Sequence, residues 1–582
     1  MKGILLALLL ISLNTSAQVF EWARLFVGQS TMTEVKVDQE GSIVAVGEFT
    51  NSIDVDPGLG TSTFTSAGSY DGLVVKLDPA GELVWARQLT APQSVRCYGL
   101  TIDSEGNIYA HGTFNGTADF DPGPDVFNLV ATGNDNTFLT KFNAAGELIW
   151  AFKSLAFIFD ITVDSDDNLL FTGTFSNTVD FDPGSMSLNI SSEGSSDAYV
   201  SKWTNSGTLI WAKTFGGVNP DKGNGIAVDD EGDVYVIGEF FNDAIDFDPG
   251  PGVTELISLG ATDAFILKLD AMGNLEWVNQ IGGLLDQKGR TISVDIFGDV
   301  IATGTFNDVV DFDAGPDEVI LDGALNQNTF FTKLQAGDGS LIWVKLIESA
   351  PQITVTYNVQ TDDLGNIYST GEFANWADFD PSEDTAILES VGSSDGFVYK
   401  LDAAGNYEWA KQLDLGRDLH ICLDADANLF GCGTSQAGAD FNPGPGVFTS
   451  NSNGGFIRKL SPCSPSTSSI NVFACNSYTV PSGDLTYYAS GIYLDTLTNI
   501  NCCDSIITIN LTLNTSTSST IYESACDTYL SPSGLYNWDT TGIYNDTIPN
   551  VAGCDSVITV YLSILTSSSI IDITACESYT SP

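Results

Sequence analysis

Two independent motifs repeat seven times along this 582-residue chain, and that constrains its fold more than any other feature. Tryptophan in a Trp-Ala or Trp-Val-like context stands at Trp22, Trp85, Trp150, Trp211, Trp277, Trp343 and Trp409, 61 to 66 residues apart. An Asp-Phe-Asp-Pro-Gly motif begins at Asp54, Asp119, Asp180, Asp246, Asp311, Asp378 and Asp440, with spacings of 61 to 67. Self-similarity at a fixed period means one supersecondary unit copied in series.

Each copy carries four strand-like runs. In the fourth copy these are Gly225–Val228, Val234–Phe240, Ala264–Leu269 and Leu275–Ile281, separated by Asp- and Gly-rich turns and one long loop. Period-two alternation of β-branched and aromatic residues is the strand signature. Four antiparallel strands repeated seven times predict an all-β chain with a seven-bladed β-propeller. A lone fourth-strand sequence, Val19–Leu25, precedes the first copy, and the last copy ends on its third strand, Gly455–Leu460. The N-terminal strand is therefore expected to complete the last blade and join the ends of the ring.

The segments outside the repeats have their own signatures. Lys2, the apolar run Ile4–Leu13 and Thr15-Ser16-Ala17 read as a signal peptide over 1–17, with export and disulfide formation as consequences. The propeller then spans 18–461 and a linker 462–470. Small β modules follow at 471–513 and 514–565, and 566–582 begins a third. Cys475-Asn-Ser-Tyr, Cys526-Asp-Thr-Tyr and Cys576-Glu-Ser-Tyr recur at 51 and 50 residues, as do Cys503-Asp-Ser and Cys554-Asp-Ser at 51. Equal 28-residue spans predict the pairs Cys475–Cys503 and Cys526–Cys554, with Cys463 and Cys502 as a further pair. Cys97, Cys422 and Cys432 read as buried thiols.

Charge excludes several functions. With 75 Asp and Glu against 21 Lys and Arg, the net charge is −54, which repels phosphate backbones and anionic lipid. Two histidines in the whole chain leave little for His-based catalysis or metal binding, and no run is long and apolar enough for a membrane span once the leader is removed.

The repeated loop is the chief chemical candidate. Asp54, Asp56, Asp119, Asp121, Asp180, Asp182, Asp246, Asp248, Asp311, Asp313, Asp378, Asp380 and Asp440 supply paired carboxylates on tight turns, and calcium is the cofactor such oxygen donors would take. The competing reading is a turn in which Asp caps backbone N–H groups and Phe anchors the loop. Drift favours the turn: Val55, Ala314, Ser382 and Asn442 each replace a motif residue. A meander places all seven loops on one face, opposite turns such as Asp229–Gly232 and Asp270–Asn274, as a ring of acid on the face where propellers usually bind ligands, near the central channel.

Third strands carry a lysine in register, at Lys76, Lys141, Lys202, Lys268, Lys333, Lys400 and Lys459. Each is expected to pair with a carboxylate, either the loop Asp or the Asp at 71, 197, 263 and 395. The repeated Trp reads as packing, while Trp376 is the better stacking candidate for a sugar. His111 falls on a core position. His420 aligns with Glu34, Asp160, Thr291 and Asn358 and is placed at the channel mouth. No catalytic triad or phosphate loop appears.

The hairpin sequence Gly225 to Tyr235 resembles the bacterial β-propeller repeat of secreted Bacteroidetes-type proteins. The Cys-x-Ser/Thr-Tyr…Gly-x-Tyr…Cys-Asp-Ser modules resemble tandem stalk modules of type IX secretion cargo. The resemblance implies secretion and surface display and carries no defined activity. Asp504-Ser-Ile and Asp555-Ser-Val are similar to bacterial O-glycosylation acceptors. The expected function is a secreted or cell-surface, non-enzymatic binding or adhesion protein that presents an acidic face to a glycan or protein partner. The alternatives are an extracellular polysaccharide-active enzyme, with paired Asp as acid and base, and a structural surface scaffold. The acids recur in every copy, whereas a catalytic site needs one copy to differ.

Overall fold

The computed structural model describes residues 18–58, 60–133, 135–182, 184, 186–241, 244–313, 315, 318–323, 327–350, 354–442, 444, 446–463, 466–498, 504–566 and 580. The expected signal peptide, Cys502, Cys503 and Cys576 lie outside them. The chain divides into two compact units, Met1–Cys463 and Ser464–Pro582. Among the described residues every helix or strand assignment is a strand.

In the first unit, consecutive antiparallel strands build sheets of four. The fourth copy forms Lys222–Val228, Val234–Phe241, Thr262–Leu269 and Leu275–Ile281, within three residues of each predicted boundary. Equivalent sheets begin with the first strands Gln29–Val37, Ser94–Ile102, Phe157–Val163, Gln287–Val294, Thr354–Thr361 and Gly416–Leu423. In the sheet of the last copy the outer position is taken by the N-terminal strand Gln18–Val27. It pairs antiparallel with Gly454–Pro462, Phe20 opposite Leu460 and Phe26 opposite Gly455. Each first strand packs against the first strands of the neighbouring sheets, and Gly416–Leu423 packs against Gln29–Val37. Third strands such as Asp71–Leu77 are buried on both faces, because each sheet is covered by a sheet on either side.

Every first strand carries a β-bulge at the same place, at Thr33, Tyr98, Phe159, Asn224, Arg290, Tyr357 and Leu419. A bulge leaves one residue out of the ladder and re-aims its side chain. Upstream of it, half-buried or exposed residues alternate with buried ones, as in Lys288-Gly289-Arg290.

Sheets are stapled to one another near their outer strands. Trp85 Nε1 donates to Ala144 O of the next sheet at 3.2 Å, and Arg87 Nε donates to Gly146 O at 2.8 Å. Gly146 has φ +74°, and a Cβ there would stand 3.1 Å from the Trp85 ring. Glycine is required on both counts. Trp22 of the N-terminal strand meets Gly81, φ +80°, in the same way. The repeated Trp is thus an inter-sheet clamp.

The loop between second and third strands is not irregular. In six copies it folds as a short hairpin, such as Thr117–Asp119 with Asn128–Val130. These hairpins sit toward the outer strands of the sheets. Each lies against the outer strand of the preceding sheet: Asp119 and Thr90 exchange two backbone hydrogen bonds, and Glu348–Ala350 pairs with Trp376–Asp378. Adjacent twisted sheets splay apart away from their inner strands, and the gap between them exposes apolar surface. Phe120, Phe247 and Phe379 fill it at 0% exposure.

The second unit contains two copies of one three-stranded sheet. Ser466–Cys475 runs parallel to Asp504–Asn514, which pairs antiparallel with Gly491–Thr498. Thr517–Cys526, Asp555–Leu565 and Gly542–Pro549 repeat this pattern. The first of these strands begins inside the segment read as linker 462–470. The predicted pairs Cys475–Cys503 and Cys526–Cys554 do not form: Cys475 is bonded to Cys554, and Cys526 is free and exposed. The cause is strand direction. The parallel pairing sets Cys475 beside Asn514, at the entrance to the next module, where the turn before Asp555 docks. Asn514 Nδ2 donates to Ala552 O and Asn550 Nδ2 to Thr515 O, both at 3.1 Å. Cys463 is also disulfide-bonded, to a partner outside the described residues.

Candidate functional site

The motif aspartates cap turns. Asp246 Oδ1 accepts from Asp248 N at 3.0 Å and Thr254 N at 2.8 Å, and Asp248 Oδ1 accepts from Gly250 N at 2.7 Å. The same bonds recur at Asp54 and Asp56, Asp119 and Asp121, Asp180 and Asp182, Asp311 and Asp313, and Asp378 and Asp380. In the last copy Asp440 is joined by Asn442, whose Oδ1 accepts from Gly444 N at 2.8 Å. An amide serves where the other copies have a carboxylate, so the geometry needs an acceptor and not a charge. Among the described residues no group of three or more His, Cys, Asp or Glu side chains converges as a metal cage.

Six of the seven third-strand lysines find carboxylates, but not those named in advance, and Lys400 has none within 4.0 Å among the described residues. Lys76 pairs with Asp38 at 2.8 Å, Lys141 with Asp103 at 3.4 Å, Lys202 with Asp164 at 2.8 Å and Lys333 with Asp295 at 2.6 Å. Those acids open the turn between first and second strands. Lys268 pairs instead with Asp233, which closes that turn, at 2.7 Å, and Lys459 with Glu21 at 3.0 Å. Asp71, Asp197, Asp263 and Asp395 accept instead from the amide four residues earlier. The turn acid also caps its own turn: Asp103 Oδ1 accepts from Glu105 N and Asn107 N, and Tyr109 donates to Oδ2 at 2.9 Å. Burial raises the Asp103 carboxyl, but these bonds and Lys141 outweigh it and hold it below the ordinary range.

At the turn end of the first strands the surface is acidic: Asp229, Asp230, Glu231, Asp295, Asp362 and Asp363 line one depression. Half-way along, His420 Nε2 lies 2.9 Å from Asn358 Nδ2 and 3.1 Å from Glu34 Oε1. Burial holds His420 well below its ordinary pKa and raises Glu34 to about 7, against the pull of Lys36. His420 therefore sits within the wall, bonded to neighbouring strands, and His111 lies in the core at 0% exposure, held by burial down to about 3. Trp376, the stacking candidate, is half-buried on a paired hairpin.

The opposite end of the first strands is different in kind, and sequence reasoning missed it. Two positions per sheet, the bulge residue and the residue two before it, give fourteen sites. Five are basic: Arg96, Lys222, Lys288, Arg290 and Arg417. Four are aromatic: Tyr98, Phe157, Phe159 and Tyr357. None is acidic, although acids outnumber bases 75 to 21 in the chain. Three of the cations meet second-strand glutamates: Arg96–Glu48 at 3.5 Å, Lys222–Glu239 at 2.8 Å and Arg417–Glu372 at 3.0 Å. The Arg96 guanidinium stacks 3.8 Å over the Tyr70 ring. The signal was present in the repeats, because Arg96, Lys222, Lys288 and Arg417 align.

The Beta-propeller repeat family model matches residues 84–121 and 210–239. A curated relative, the Uncharacterized WD repeat-containing protein L264 of Acanthamoeba polyphaga mimivirus, is 23% identical over 524 residues. That match takes in 74% of this chain, and the chain spans only 37% of the relative's length. Among solved structures, polysaccharide lyase Uly1 is similar at TM-score 0.37 and 10% identity, over 76% of this chain and 99% of that one. The quinohemoprotein alcohol dehydrogenase of Comamonas testosteroni gives 0.36 and 10%, over 77% of each chain. At this similarity none of their chemistry carries over.

Proposed function

We propose that this chain is an exported, non-enzymatic binding protein in which seven sheets close into a seven-bladed β-propeller whose axial surface takes the ligand. Closure is supported by the pairing of Gln18–Val27 with Gly454–Pro462, by Trp22 docking on Gly81, and by the unbroken series of first-strand contacts. The observation that carries the binding reading is the gathering of cations and aromatics at one end of the first strands of an otherwise acidic chain. A ligand approaching there meets donors and flat apolar rings on strands fixed by their neighbours. A binding role also fits the motif acids, which recur in every sheet and are engaged as turn caps. The acidic surface expected from the sequence is here assigned to the outer hairpins and the turn end.

Export and surface display rest on the leader sequence and the stalk-like modules, and the mature chain should begin at Gln18. Among the described residues no helix is long and apolar enough to cross a membrane. The test is a glycan and protein array probed with the mature chain, followed by incubation with the best binder. Saturable binding without turnover is expected. Chain cleavage of the bound glycan, abolished by one Asp or Glu substitution, would replace this reading with the enzyme.

A further inference from the structure

Lys288 and Arg290 stand apart from the other axial cations. Both lie on the first strand of the fifth sheet, Gln287–Val294, at the pre-bulge and bulge positions. Among the described residues neither has a carboxylate within 4.0 Å, and Arg290 Nε is buried with no hydrogen-bond partner. What sets the site apart is the Arg290 Nε donor: a buried unsatisfied donor is costly unless something else accepts from it.

Their surroundings are built rather than incidental. Asn224 Nδ2 on the preceding first strand donates to Gly289 O at 2.8 Å, fixing the backbone between the two cations. On the following first strand stands Tyr357 at the bulge, and on the strand paired with it Glu372 is held by Arg417 at 3.0 Å. Arg290, Tyr357 and Arg417 stand on three consecutive first strands that pack side by side, so three adjacent sheets contribute cations and an aromatic ring to one surface.

We propose that this surface binds an acidic polysaccharide, with Lys288 and Arg290 holding the carboxylate of a uronic acid or a sulfate ester. The inference rests on the binding reading above and names its ligand class. Guanidinium geometry matches a two-oxygen anion, and a partly desolvated charge pair is stronger than one in water. The aromatic side chains give flat faces that cover the C–H side of a sugar ring. The rim hairpins do not oppose this. They lie across four strands from the first, about 14 Å at 4.8 Å per strand, beyond the ~8 Å Debye length of physiological salt.

The experiment titrates the purified chain with oligosaccharides of alginate (carboxylate), heparin (sulfate) and dextran (neutral), and with poly-glutamate, by calorimetry at low and physiological salt. The variants are the double Lys288→Ala/Arg290→Ala and, as control, Lys213→Ala/Lys345→Ala on outer strands. Alginate or heparin binding should weaken about tenfold or more in the first variant and not in the control. Alginate binding identifies the carboxylate as sufficient; heparin, which carries both groups, identifies the sulfate when it binds and alginate does not. Unchanged melting temperature separates this loss from misfolding. If a misfolded variant results, Lys288→Gln/Arg290→Gln repeats the comparison. Poly-glutamate binding without alginate or heparin would assign the surface to an acidic protein and overturn the proposal. Dextran binding equally well would overturn it while leaving the binding reading intact. Binding of none of the four, with an empty array, would overturn both.

Discussion

Lys202 Nζ lies 2.8 Å from Asp164 Oδ2 beneath the turn that joins the first two strands of the third sheet, with both side chains under 10% exposed. Removing one partner of a buried pair strands the other charge, so Lys202→Met should cost about 3–5 kcal/mol in urea unfolding. The double change Lys202→Met/Asp164→Asn should recover part of that loss. Equal destabilisation by single and double variants would show that the pair does not act as a unit.

Glycine at the inter-sheet clamp separates two costs. Gly146→Ala places a Cβ against Trp85 at positive φ, whereas Gly298, φ +84°, has nothing within 4 Å of its would-be Cβ. Gly298→Ala should lose only the left-handed penalty, about 1–2 kcal/mol. Gly146→Ala should lose clearly more, and comparable midpoints would show that the Trp85 contact adds nothing to the cost.

The motif loops should be indifferent to metal. Asp248→Asn should fall within about 0.5 kcal/mol of the native chain, since Asn442 already makes that bond in the last sheet. Asp246→Ala frees two amides and should cost about 1–2 kcal/mol. Melting curves in calcium and in EDTA should coincide; a calcium-dependent rise would restore the hairpins as metal sites.

Acid lability has an identifiable contributor. Burial holds His111 near 3, below its ordinary 6.5, so the folded state binds fewer protons than the unfolded one between those values. Its contribution is intact above pH 6.5 and is lost as pH falls toward 3, amounting to several kcal/mol. Glu34, raised from 4.5 to about 7, acts in the opposite sense, favouring the folded state less as pH climbs through that window. His111→Val, the residue found at the equivalent Val46, should flatten the acid limb below pH 6.5.

Peptide mapping of the unreduced chain should recover Cys475 linked to Cys554, with Cys526 open to maleimide. Cys554→Ser should lower the stability of the second unit by about 4–5 kcal/mol on the loop-entropy account. A Cys526–Cys554 peptide would contradict the strand order described above.

What could be read in advance was whatever repeats at short range. Strands such as Leu275–Ile281 were legible because alternation and turn residues are local. The partners of Lys202 and Cys475 were not, because both depend on which strands lie side by side, and the parallel pairing of Ser466–Cys475 with Asp504–Asn514 leaves no mark on spacing. The seat of the hairpins was not legible, because their Phe anchors serve the preceding sheet, a relation across copies and not within one. The first-strand cations were visible as aligned residues, yet their meaning needed the bulge that turns Arg290 out of the ladder.

The Cys475–Cys554 bond has a mechanical consequence. Its 79-residue separation begins at the end of one module's first strand and closes at the last strand of the next. Tension applied along this part of the chain passes through sulfur and bypasses the polypeptide between. Unravelling that stretch would release about 270 Å of slack at 3.4 Å per residue, and the bond keeps that length locked until it is reduced. Two weakly cored modules thereby behave under load as a short inextensible tether.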